Sequence, residues 1–145
     1  MTADDWVVTG EPINANAPML DIVVAEDEPS IAAVVSRILT GMGHTARVCS
    51  DGARAWAAIE ERQPDLLLTD YQMPNMDGFE LSTRLKADPR FQTLSVVLVT
   101  ARGHMLSADD LAKTNIVRVL PKPFGRKDLK RSVDEVAAQI LGDAA

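Results

Sequence analysis

The sequence predicts an α/β fold: a doubly wound, five-stranded parallel sheet with helices on both faces. Three observations lead there. Five short apolar runs alternate with five stretches of helical spacing. Leu20 to Ala25 apart from Asp21, Leu66 to Leu68 and Val96 to Val99 are apolar without alternation, as strands buried on both faces are. The connections between strands are long enough for right-handed crossovers, which parallel neighbours require.

In order, Met1 to Pro18 carries Pro12, Pro18, scattered acids and no sustained period, and so reads as a flexible tail. Trp6, Val7 and Val8 are its only apolar cluster. Leu20 to Ala25 is the first strand, ended by Glu26, Asp27 and Glu28. Pro29 and Ser30 open a helix whose apolar face is Ile31, Val34, Val35, Ile38, Leu39 and Met42, and Gly43 stops it. Thr45 to Cys49 is a second strand, Asp51-Gly52 a turn, and Ala53 to Arg62 a helix with Ala55, Ala58 and Ile59 inward. Pro64 leads into the third strand, which ends on Asp70.

Phe79 to Ala87 forms the third helix, stopped at Asp88-Pro89 because the residue before proline is pushed out of helical geometry. Leu94 to Thr100 is the fourth strand. Ser107 and Asp110 have the spacing of a capping box for a short helix over Ala108 to Thr114. Ile116 to Leu120 is the fifth strand, and Pro121, which donates no backbone hydrogen bond, places it at a sheet edge. Leu129, Val133, Val136, Ala137, Ile140 and Leu141 make the stripe of a final amphipathic helix. The expected organisation is a tail over 1–18, one domain over 19–142 and a short tail over 143–145; 145 residues suit a single core.

The formal net charge of −6 and pI near 4.8 argue against nucleic-acid and anionic-membrane partners. No apolar stretch is long enough to cross a bilayer or to resemble a secretion signal, and the single cysteine, Cys49, cannot form an internal disulfide. A reducing cytoplasm is the expected location. Cys49, at a strand end, reads as packing.

Parallel strands bring their carboxyl ends to one edge, where such sheets place ligands. That edge collects Glu26 and Asp27 from the first strand, Asp70 from the third, Thr100 from the fourth and Lys122 after the fifth. Carboxylates about 4 Å apart repel by about 4 kcal/mol at an effective dielectric near 20, so the set calls for a cation. With oxygen ligands and no His or Cys, magnesium fits best. The ammonium of Lys122 and the hydroxyl of Thr100 suit an oxyanion above it. Singly, each residue also has a plain structural reading: Asp70 and Glu26 as caps, Thr100 as a donor to backbone, Lys122 as a solvated charge.

Together, Ala25-Glu26-Asp27-Glu28, Asp70 with Met73-Pro74 and Asp77-Gly78, Thr100-Ala101 and Lys122-Pro123-Phe124 resemble the receiver domain of two-component response regulators, over Leu20 to about Leu141. The resemblance implies the flavodoxin-like strand order 2-1-3-4-5 and a cis Lys122-Pro123 bond. It implies that Asp70 accepts a phosphoryl group from a histidine kinase or phosphotransfer protein. Glu26, Asp27, Asp70 and the backbone carbonyl of Gln72 would then hold magnesium, while Thr100 and Lys122 contact the phosphoryl oxygens. Gln72 and Arg102 occupy the family's lifetime-tuning positions. The domain would be a self-phosphorylating acceptor that dephosphorylates itself, rather than an enzyme, and would signal through a downstream protein target.

The chain departs from that pattern at two places. Val119 stands where the family has a switching aromatic residue, and Thr114-Asn115 replaces a Gly-Ala pair. Val119 is short and stiff, so the signal is expected to leave through the loop Ala101 to Ser107, with Met105 and Leu106 changing exposure. Two other readings are a receiver excised from a larger hybrid kinase and a small aspartate-nucleophile phosphatase. The phosphatase reading lacks the acid that dehalogenase-like enzymes carry two residues after the nucleophile, where this chain has Gln72. A flavin site is disfavoured by the acidic first strand-helix turn.

Overall fold

Five parallel strands form one sheet in the order β2-β1-β3-β4-β5. The computed structural model describes residues 19–101 and 106–144. Trp6, Val7 and Val8, Arg102 and Met105, and the side chain of Leu141 lie outside the described residues. The strands are β1 (Asp21–Ala25), β2 (Thr45–Cys49), β3 (Leu66–Asp70), β4 (Ser95–Thr100) and β5 (Ile116–Pro121). The helices are α1 (Pro29–Gly41), α2 (Gly52–Glu61), α3 (Gly78–Ala87), α4 (Ala108–Ala112) and α5 (Arg126–Ala144).

Alternation along each strand divides the core into two layers. Ile22, Val24, Leu66, Leu68, Val97 and Val99 pack with Val35 and Leu39 of α1 and with Leu129, Val133 and Val136 of α5. Val23, Leu67 and Val96 face the other way, onto Ala55 and Ile59 of α2 and Leu81 and Leu85 of α3. All five residues of β3 are buried, which is why that strand shows no polar alternation. Cys49 packs half-buried against the second layer, and burial pushes its thiol pKa up. β5 lies at an edge, as Pro121 requires.

Three local expectations change. Val34 is 51% exposed, because the buried stripe of α1 runs through Ala32, Val35 and Leu39 and leaves Val34 on its flank. Asp51 does not merely turn the chain: it caps α2, its side chain accepting from the Arg54 amide, so the helix starts at Gly52. α5 continues through Asp143 and Ala144, where the sequence predicts a tail. Gly142 lowers helix propensity there without ending the helix. The capping box of α4 is present as expected, with both Ser107 and Asp110 side chains engaged.

At the amino edge of the sheet, Asp21 accepts from Arg47 and Arg62, while Arg47 also donates to the carbonyls of Ala58 and Arg62. This network ties the end of α2 to β1 and β2, on the side away from the acidic cleft. Nearby, buried His44 accepts the Leu20 amide on Nδ1 at 3.0 Å, and burial holds its pKa below the usual imidazole value, with Asp134 partly opposing. The unfolded chain takes up this proton at about pH 6.5 and the folded one only lower. Stability from His44 is therefore full above about pH 6.5 and lost as pH falls toward the folded value. We expect melting curves of wild type and His44→Gln to differ by about 1 kcal/mol at pH 7.5 and to draw together as the pH falls below about 6.5, since protonation forfeits one buried hydrogen bond. A gap that stays constant with pH would remove His44 from the account.

Candidate functional site

The register sets the site. Ala25 pairs with Thr69, so the next residues, Glu26 and Asp70, emerge side by side at the carboxyl edge. Thr100 pairs with Pro121, and the Lys122 amide donates to the Thr100 carbonyl at 2.8 Å, which brings Lys122 to the same edge. β1 and β3 are neighbours whose chains leave in opposite directions across the sheet, the position at which open α/β sheets form a crevice.

Ligand oxygens of Glu26, Asp27 and Asp70 lie within 4.8 Å of one another, with Glu26 and Asp70 buried and Asp27 exposed. Lys122 reaches in with Nζ at 3.2 Å from Asp70 Oδ1 and 3.7 Å from Glu26 Oε1. The Tyr71 amide donates to Asp70 Oδ1 at 2.9 Å, and the Glu28 amide to Glu26 Oε2 at 3.1 Å. Burial raises the pKa of Asp70, opposed by the Lys122 charge. Burial also raises that of Glu26, with the charge of Asp70 adding to it. Three carboxylates against one ammonium leave a negative excess, and an all-oxygen donor set with one open, exposed member fits a hard divalent ion that keeps water ligands.

Beside the carboxylates opens a cleft of about 440 Å³ lined by Asp27, Tyr71, Gln72, Met73, Pro74 and Asp77. Gln72 thus lines this cleft. Thr100 is buried at the end of β4, its hydroxyl donating to the Ala101 carbonyl at 3.3 Å. Val119 sits 44% exposed on β5. Arg102 falls outside the described residues. The Lys122–Pro123 peptide bond is cis.

Two features escape a reading of the sequence. The first is Gly78: a Cβ there would overlap the Asp70 carbonyl oxygen and come within 2.9 Å of Leu98 Cδ1, so α3 starts directly against the end of β3. The second is the link between Asp51 and Asn75, whose Nδ2 donates to Asp51 Oδ2 at 2.9 Å. The only signals were an aspartate-glycine pair and an asparagine after a proline, each equally suited to an ordinary turn.

The response regulator receiver domain model matches residues 22–134. The chain is 24% identical over 128 residues to the chemotaxis protein CheY homolog of Campylobacter jejuni, covering 87% of this chain and 98% of that protein. It is 33% identical over 117 residues to the DNA-binding transcriptional regulator NtrC of Escherichia coli, covering 81% of this chain but only 23% of that protein. Among solved structures, the receiver domain of a signal transduction histidine kinase from Syntrophus aciditrophicus superposes with a TM-score of 0.73 at 26% identity, over 83% of this chain and 91% of that one. The strand order, the acidic edge with its lysine and the match over residues 22–134 converge: this chain belongs to the response regulator receiver domain family of two-component systems.

Proposed function

We propose that Asp70 accepts a phosphoryl group from a histidine kinase or histidine phosphotransfer protein, with magnesium as cofactor. The observation that supports this reading most is the carboxylate triad within 4.8 Å with Lys122 Nζ 3.2 Å from Asp70. Glu26, Asp27 and Asp70, with the backbone carbonyl of Gln72, would hold the ion. Magnesium, when bound, offsets the charge that builds on phosphoryl oxygens during transfer.

The chain's own residues do the rest. The Asp70 carboxylate attacks phosphorus; the bond from phosphorus to the donor imidazole nitrogen breaks, and its electron pair leaves with the imidazole. Lys122 and Thr100 take the phosphoryl oxygens, the first as a point charge and the second by turning its hydroxyl from the Ala101 carbonyl. Gln72 and Arg102, at the family's lifetime-tuning positions, would govern hydrolysis of the acyl phosphate and so its lifetime. With an exposed Val119 in place of a switching ring, the loop Ala101 to Ser107 carries the change to a downstream protein.

Incubation with acetyl phosphate and magnesium should add one phosphoryl group by intact mass. Asp70→Asn and chelator-treated wild type should gain none; equal labelling of Asp70→Asn would refute the assignment.

Residues 1–18 as a tail, a cytoplasmic location and action without a nucleic-acid or membrane partner complete the reading. Among the described residues no helix is long and apolar enough to cross a membrane. A second reading is favoured by the comparisons: the chain spans 23% of NtrC and matches a receiver that belongs to a histidine kinase, so it equally suits a receiver module of a larger protein.

A further inference from the structure

The loop between β3 and α3 carries all the residues that line the acidic cleft except Asp27, and its middle is held from outside the site. Its ends are fastened by backbone bonds: Tyr71 donates to the Val99 carbonyl and Gly78 to the Tyr71 carbonyl, both at 2.8 Å. Between them, the Met76 amide donates to the Pro74 carbonyl at 2.8 Å across Asn75, whose φ is +71°. A three-residue turn with a positive central φ is rare and strained, and an asparagine accepts that backbone only somewhat better than other side chains do. Something must hold it.

Two contacts from the start of α2 do so. Asp51 is buried and uses its two oxygens separately, Oδ1 on the Arg54 amide at 2.7 Å and Oδ2 on Asn75 Nδ2 at 2.9 Å. Next to it, Gly52 lies so close to the Met76 carbonyl that a Cβ would overlap it. Met76 itself is buried in the second core layer, which seats the turn from below.

We infer that Asp51 and Asn75 are positioning residues for the acidic site: a side-chain clamp from the α2 N-terminus holds the turn at Asn75, and with it the placement of Gln72, Met73 and Pro74 at the cleft. Neither residue belongs to the carboxylate cluster of Glu26, Asp27 and Asp70; both act through the loop. The inference rests on the reading of Asp70, Glu26 and Asp27 as a magnesium site.

Two substitutions isolate the clamp. Asn75→Gly keeps the positive φ without steric cost and removes only the arm to Asp51. Asp51→Ser keeps a side-chain cap on α2 but is too short to reach Asn75. Magnesium is titrated into wild type, each variant and the double variant, with affinity read from backbone amide shifts of residues 70–77 and folding read from thermal melting in chelator. Loss of one net hydrogen bond corresponds to an affinity about three- to tenfold weaker. That loss is expected in each single variant, with Asn75→Gly melting near wild type and the double variant no weaker than the worse single, because both changes cut one link. Wild-type affinity in Asn75→Gly overturns the clamp, as do losses that multiply in the double variant; either leaves the magnesium reading standing. A wild-type protein that binds no magnesium overturns both.

Discussion

Asp70→Asn is expected to melt higher than wild type at pH 7 in chelator, while losing the ability to carry a phosphoryl group. The site gathers three carboxylates around one ammonium, and Asp70 and Glu26 are buried. Their pKa values are raised, chiefly by burial. A carboxyl with a raised folded pKa contributes its full stability below the unfolded value near 4 and loses it as pH rises through the folded one. The advantage of Asp70→Asn should therefore be nil at pH 4 and grow toward neutrality. Relief of a destabilised functional site is typically worth about 0.5–2 kcal/mol. In a domain of this size that is roughly 2–4 °C per kcal/mol.

Lys122 keeps Glu26 as a partner at 3.7 Å after the change, so no buried ammonium is stranded. Saturating magnesium should then reverse the order, since it stabilises only a protein that binds it tightly. A variant with no pH-dependent advantage in chelator would show that ionised Asp70 carries no net burial cost in the folded state. Acid unfolding runs the opposite way and lies lower: Asp21, Asp51 and Asp88 have lowered pKa values through hydrogen bonds from Arg62 and Arg47, from Arg54 and Asn75, and from Arg90. Their contribution is present above about pH 4 and lost beneath it.

Gly78→Ala should be among the most damaging single-methyl additions in the chain. The new Cβ would meet the carbonyl oxygen of Asp70, a backbone atom fixed in the buried end of β3, and Leu98 Cδ1. Neither can withdraw cheaply: Leu98 is wholly buried, and the Asp70 peptide is tied through Tyr71 to β4. Overpacking of this kind costs about 1–3 kcal/mol. Relaxation would also move Asp70 relative to Lys122, so acetyl phosphate labelling should slow even at temperatures where the variant is folded. Gly41→Ala is the control. Nothing lies within 4 Å of its would-be Cβ, and the residue ends α1, so alanine there should be neutral or stabilise by up to about 1 kcal/mol. If both variants melt alike, the close approach of α3 to β3 is not a constraint.

Much of the fold was legible because its signals are local. The apolar runs of β1, β3 and β4, Pro29 at the start of α1, the Ser107–Asp110 box of α4 and the edge position of β5 follow from the residues at those places. The acidic edge was legible for a related reason: in a parallel sheet every strand ends on the same side, so Glu26, Asp27, Asp70, Thr100 and Lys122 could be collected without knowing any distance. Val34 was misplaced because periodicity gives the axis of an apolar stripe but not its width, which depends on how closely α1 lies on the sheet.

By itself the sequence determined the order and type of the elements, the polar residue at each strand end and the likeness to receiver domains, since each depends on neighbours a few positions apart. Only the tertiary structure decided that Asp51 reaches Asn75, that Gly52 and Gly78 are sites of backbone contact with Met76 and Asp70, and that Arg47 binds Asp21. Those contacts join residues far apart in the chain, and an aspartate or glycine at a turn looks the same whether or not another segment arrives to meet it. Packing density makes the difference: where two backbones touch within a close-packed interior, a single methyl group is enough to decide which residue fits.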